Sequence, residues 1–143
     1  MSTNLTPEEL DLLRGAFDLA RQGETAALAE LLDAGLPVNL TNAKGDTLLI
    51  LAAYHRHADL VQALLDRGAD HRRVNDNGQT ALAAAVFRQD EGIVRALLAA
   101  GADPEHGARS AVAIADFFDL PRMRSLVGGA APRGQSDNTE KGM

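Results

Sequence analysis

The side chains able to do chemistry in this 143-residue chain are few and scattered. His55 and His57 stand two apart, a spacing that does not put two ligands on one helix face, and His71 and His106 fall in polar, turn-forming stretches. A metal site needs several ligands converging on one point, so no metal or other cofactor is expected. Ser2, Ser110, Ser125 and Ser136 lack a G-x-S-x-G elbow, and no carboxylate pairs with a nucleophile. The chain is therefore read as no enzyme. Recognition chemistry is better supplied. Tyr54 and Phe87 are two of five aromatics and stand 33 residues apart, followed by His55 and Arg88. Aromatic and Arg side chains are the favoured anchors of interfaces. Two readings stay open: the rings anchor a partner, or they fill gaps between adjacent units.

The interval of 33 recurs along the chain. Asn42 to Asp70 reads NAKGDTLLILAAYHRHADLVQALLDRGAD, and Asn75 to Asp103 reads NDNGQTALAAAVFRQDEGIVRALLAAGAD. Gly45 and Gly78, Thr47 and Thr80, Leu49 and Leu82, Val61 and Val94 all keep the interval, as do Gly68-Ala69-Asp70 and Gly101-Ala102-Asp103. A fixed period of this length means stacked units, none of which can bury its apolar face alone. Thr6-Pro7-Glu8-Glu9 predicts a capped helix start, with Leu10, Leu13, Phe17 and Ala20 on its buried face and Gly23 as its end. Helices are expected near 25–34, 47–54, 58–67, 80–87 and 91–99. Ser110–Ala115 echoes Thr80–Ala85 at an offset of 30, and Pro121 opens a last helix to about Val127. Asp76-Asn77-Gly78 predicts a tight turn. Carboxylates at Asp70 and Asp103 are expected to bind nearby backbone N–H groups.

These motifs resemble the ankyrin repeat, whose unit follows G-x-T-P-L-H-L-A-A, then V-x-x-L-L, then G-A-D. Gly45-x-Thr47-x-Leu49-x-Leu51-Ala52-Ala53, Val61-x-x-Leu64-Leu65 and Gly68-Ala69-Asp70 carry the likeness, and Gly78, Thr80, Leu82, Ala84, Ala85, Val94, Leu97 and Leu98 carry it again. The resemblance implies an all-α solenoid of helix-turn-helix units with protruding β-hairpin loops. Its domain would span 1–127: an N-terminal cap at 7–41, repeats at 42–74 and 75–107, and a C-terminal cap at 108–127. Residues 128–143, rich in Gly, Pro and polar types, are expected to form a disordered tail. Leu48 and Ala81 stand where the family has Pro, and Ile50 and Ala83 where it has His. Arg56 and Gln89 hold the turn position where Gly is typical, so positive φ there would cost each on the order of 1 kcal/mol. Arg56→Gly is then expected to be neutral or stabilising.

In the resembled family, partners meet the hairpin tips and the exposed face of each first helix. Carried over by register, the partner-binding positions are Ala43, Lys44, Asp46, Tyr54 and His55, then Asp76, Asn77, Gln79, Phe87 and Arg88. The implied function is non-catalytic protein binding. The alternatives are a regulatory or accessory subunit of a bacterial enzyme, for example in stress response, and a secreted effector.

Charge and composition bound the rest. A net charge of −6 disfavours nucleic acid and leads to the expectation of a protein partner with a basic patch. The longest apolar runs, 48–54 and 81–87, are too short for a bilayer. The acidic N-terminus lacks a basic region followed by an apolar core, so no secretory signal is expected, and the chain is read as cytoplasmic and monomeric. Arg far outnumbers Lys and Ala is abundant, a bias common in GC-rich bacterial genomes.

Overall fold

The computed structural model describes residues 5–130. Eight helices lie among them: α1 (Pro7–Gln22), α2 (Thr25–Asp33), α3 (Leu48–Tyr54), α4 (Ala58–Asp66), α5 (Ala81–Phe87), α6 (Glu91–Ala99), α7 (Ala111–Phe117) and α8 (Pro121–Ala130). Each odd-numbered helix packs on the even-numbered one that follows it, giving four hairpins. Along the stack α1, α3, α5 and α7 form one row, and α2, α4, α6 and α8 form the other. No described helix is long and apolar enough to cross a membrane.

Local chemistry starts each helix of the inner row. Thr6 closes the expected capping box: its Oγ1 accepts from Glu9 N at 3.0 Å, and its own N–H donates to Glu9 Oε1 at 2.8 Å. Thr47 Oγ1 accepts from Ile50 N at 3.0 Å, Thr80 Oγ1 from Ala83 N at 3.1 Å, and Ser110 Oγ from Ala113 N at 3.2 Å. These three hydroxyl residues are themselves buried, so each cap also satisfies a donor that water cannot reach.

Burial follows from the stacking. In α3 every residue from Leu48 to Ala53 is buried, and in α5 every residue from Ala81 to Val86. Such helices are enclosed on both flanks by neighbouring units, which is why they read as continuous apolar runs rather than stripes. Six of the fourteen residues of α3 and α5 are Ala (Ala52, Ala53, Ala81, Ala83, Ala84 and Ala85), and small side chains let helix axes approach. The outer helices α4 and α6 bury one stripe each: Leu60, Val61 and Leu64, then Ile93, Val94 and Leu97.

Two expectations need correction. Leu10 is exposed (39%), and the buried face of α1 is Ala16, Phe17 and Ala20. Residues 5–12, at the start of α1, are all exposed. The last helix does not stop at Val127 but runs to Ala130, so 128–130, read from composition as the start of the tail, are helical. The remainder of that expected tail, 131–143, lies outside the described residues.

The predicted left-handed turns are present. Arg56 has φ 65° and Gln89 φ 56°, and Asp119 repeats the feature at φ 54°. The hairpin loops are more economical than the resemblance implied. Among the described residues there is no strand, only one antiparallel bridge between Thr41 and Thr47. The loops are closed instead by paired backbone bonds and by Asn side chains.

Candidate functional site

The two loop tips are built alike. Asn42 N donates to Asp46 O at 3.0 Å and Gly45 N to Asn42 O at 3.0 Å; Asn75 N donates to Gln79 O at 3.0 Å and Gly78 N to Asn75 O at 2.9 Å. The Asn side chains complete each turn. Asn42 Oδ1 accepts from Lys44 N at 2.9 Å and Asp46 N at 3.0 Å. Asn75 Oδ1 accepts from Asn77 N at 2.9 Å and Gln79 N at 3.0 Å. Asn is suited to this because its short amide reaches its own backbone. No reading of the sequence alone singled out these two residues; the signal was there, since they are 33 apart and open both repeats.

Neighbouring tips are tied together. Asp76 N donates to Lys44 O at 3.0 Å, Arg109 N to Gly78 O at 2.9 Å, and Asn75 Nδ2 to Asp46 Oδ1 at 2.8 Å. The loops nest so closely that Gly45, at φ 79°, could carry a Cβ only at 3.1 Å from Asp76 N and 3.2 Å from Asn75 Cα. Ala43, Lys44, Asp76 and Asn77 are exposed on the tips, and Asp46 and Gln79 are half-buried where the tips meet the helices.

At the C-terminal ends of the inner helices the aromatic residues form a row. The rings of Tyr54 and Phe87 are stacked, 6.2 Å apart and 9° from parallel. Phe118 meets Phe87 edge-on at 5.4 Å, and Phe117 meets Phe118 at 4.8 Å. Arg88 lies 5.1 Å over the Tyr54 ring, and its Nη1 donates to Tyr54 O at 2.8 Å. Tyr54 and Phe87 each cover the other across a repeat boundary, yet keep 40% and 39% of their surface in solvent. The pair thus fills the gap between adjacent units and still leaves part of each ring open to solvent. Phe117 and Phe118 join the row although neither was singled out. Phe117 follows Phe87 by the same 30 residues that separate Ser110 from Thr80.

Tips and rings border one groove. A cavity of about 560 Å³ lies between the loop tips and α3, with Lys44, Asp46, Tyr54, His55, Asn77 and Gln79 among its walls. An adjoining cavity of about 520 Å³ shares Gln79 and continues along Phe87, Phe117 and Phe118, floored by Ile114. Ala43 borders the first cavity as well. Asp76 and Arg88 border neither; Asp76 braces the loop behind Lys44, and Arg88 backs the Tyr54 ring. Burial holds the His55 imidazole below its usual pKa, and the nearby cations His57, Arg88 and Arg21 push the same way against Asp46.

His57, His106, Asp70 and Asp103 have structural duties. His57 Nε2 donates to Arg21 O at 2.7 Å, tying the second unit to the first, and His106 Nε2 donates to Arg72 O at 2.9 Å. Asp70 accepts from Arg72 N at 2.9 Å, and Asp103 from Glu105 N at 2.9 Å, as expected for the Gly-Ala-Asp turns.

A family model described as ankyrin repeats, in three copies, matches residues 17–107. That span takes in α2 and part of α1, so the first unit shares the pattern of the two central repeats. An ankyrin repeat protein of Pseudomonas aeruginosa is 53% identical over 58 residues, which are 41% of this chain and 34% of that relative. The chain thus matches about a third of the length of this curated relative. Ankyrin repeats are generally non-catalytic protein–protein interaction modules. The repeat register, the two-row helical stack and a family match over more than half of its length show that this chain belongs to the ankyrin repeat family.

Proposed function

We propose that this chain binds a partner protein through its concave face, without catalysis, using the loop tips and the aromatic row as one surface. The observation that carries the reading is the Tyr54–Phe87 pair. Two large rings, stacked at 6.2 Å and each about 40% exposed, stand on the rim of a groove whose loops are tied to one another by backbone hydrogen bonds. A surface fixed in this way gives up little conformational entropy on binding. An aromatic side chain buries roughly 200 Å² when fully enclosed, so covering the exposed part of each ring is worth about 2 kcal/mol, or roughly 30-fold in affinity.

The test is affinity capture from the native cell extract with the wild-type chain beside the Tyr54→Ala/Phe87→Ala double variant. Circular dichroism and a thermal melt check that the variant keeps its fold. Loss of specific partners from the variant's capture is the expected result. Identical captures would contradict the reading.

A further inference from the structure

We propose that the groove takes an extended acidic peptide segment bearing one large apolar side chain. The inference rests on the concave groove being the binding face and adds the chemistry of what it holds.

The charge of the groove opposes that of the chain. Across the whole sequence the net charge is −6, which by itself pointed to a basic partner. Among the described residues lining the two cavities, the charged side chains are Arg21, Lys44 and Arg109 against Asp46. Asp46 is already engaged by Asn75 Nδ2 at 2.8 Å, and Arg88 adds a further cation behind Tyr54. Asp76 stands on the rim outside the lining.

The state of these cations separates the groove from the outer row of helices. There Arg67 is paired with Asp33, Arg95 and Arg122 with Glu91, and Arg124 with Asp116, each within 3.0 Å. Lys44, Arg88 and Arg109 form no ion pair with a described carboxylate. Arg21 is paired with Asp18 at 2.7 Å, but both members are exposed and open to exchange.

The apolar end of the groove supplies the second requirement. Phe117 is 81% exposed and Phe118 47%, and with Phe87 they wall the cavity of about 520 Å³ over buried Ile114. That space suits one aromatic or aliphatic side chain. Residues 131–143 of this chain carry Arg133 and Lys141 against Asp137 and Glu140, so they are not net acidic and do not match it. The occupant's length follows from helix packing. Four inner helices spaced about 8–10 Å apart make a row of about 25–30 Å, which an extended chain spans in about eight residues.

The probe is a displayed library of random ten-residue peptides, selected on the full chain. Enriched peptides are expected to be net acidic with one Phe, Tyr, Leu or Ile. Their affinity should fall at least tenfold on the Lys44→Glu/Arg109→Glu variant and by an intermediate factor on Lys44→Gln/Arg109→Gln. Both side chains are exposed, so circular dichroism should be unchanged in either variant. Peptides with Asp and Glu replaced by Lys should prefer the charge-reversed protein. Enrichment of neutral or basic peptides that still depend on Tyr54 and Phe87 would overturn this inference and leave the binding face standing. No enrichment, or binding indifferent to all of these substitutions, would overturn both. Displacement of the acidic peptides by a ten-nucleotide oligothymidylate at lower concentration would assign the cations to nucleic acid and equally overturn the inference.

Discussion

Arg88 binds Tyr54 twice, through its ring at 5.1 Å and through its carbonyl at 2.8 Å, and in doing so joins the ends of α5 and α3. The planar guanidinium is needed for both contacts at once, and an ammonium cannot reproduce it. Arg88→Ala should lower stability by about 1 kcal/mol, from the lost hydrogen bond and cation–π contact, and Arg88→Lys should recover less than half of that. Chemical denaturation measures both. Full recovery by Lys would mean that charge alone matters at this position.

Gln89 adopts φ 56° with an exposed side chain, while Gly45 adopts φ 79° beneath a neighbouring loop. Gln89→Gly relieves about 1 kcal/mol of left-handed strain but adds freedom to the unfolded chain, for a net change between zero and about 1 kcal/mol of stabilisation. Arg56→Gly should do slightly less well, since it also loses the exposed contact of Arg56 Nε with Asp90 Oδ2 at 3.4 Å. Gly45→Ala should destabilise by more than about 1 kcal/mol and loosen the tips. Thermal melts of the three variants give the ordering; a clear drop for Gln89→Gly would mean that the turn is built differently.

Leu82 is fully buried at the centre of the stack, whereas Leu10 is 39% exposed near its start. Leu82→Ala should cost about 2–5 kcal/mol, and Leu10→Ala should stay within about 0.5 kcal/mol. Comparable losses for the two would contradict the assignment of the core to the inner row.

Acid should act in two stages. The His55 pKa is lowered by burial and then by His57, Arg88 and Arg21, against Asp46, so the unfolded chain takes up that proton more readily than the folded one. Its contribution is present above the unfolded value, about 6.5, and falls as pH drops from there toward the folded value. Asp33, lowered by Arg67, Asp70, lowered by the Arg72 N–H, and Glu91, lowered by Arg95 and Arg122, contribute above the ordinary carboxylate range, about 4. Those contributions are lost as pH falls through the folded values. Urea midpoints between pH 7.5 and 3 should show a shallow early decline that His55→Gln reduces, followed by a steeper one that it leaves alone. An unaltered early decline in His55→Gln would remove His55 from the explanation.

The period of 33 made the stack, its caps and its left-handed turns readable, because each depends on a residue type at a fixed offset. Thr47 and Thr80 stand at the starts of the two expected helices and cap them, and Arg56 and Gln89 hold the positive φ that the resemblance implied for a Gly position. Leu10 was misplaced because helical spacing describes a face without saying whether anything covers it. Phe117 and Asp119 were missed because the fourth unit is three residues out of register, although each stands 30 after its counterpart, Phe87 and Gln89. The sign of the groove was hidden by summing charge over the chain. Lys44 and Arg109 are distant in sequence, and only the stacking of loops brings them to one face.

The most direct measurement is an NMR titration of the isotopically labelled chain with a peptide enriched on it, following backbone amide shifts. The expected perturbations concentrate on 42–55, 75–88 and 109–118, the loop tips and the ends of α3, α5 and α7. Perturbations centred on α2, α4, α6 and α8, with the Tyr54, Phe87 and Phe117 signals unmoved, would contradict the assignment of binding to the concave face.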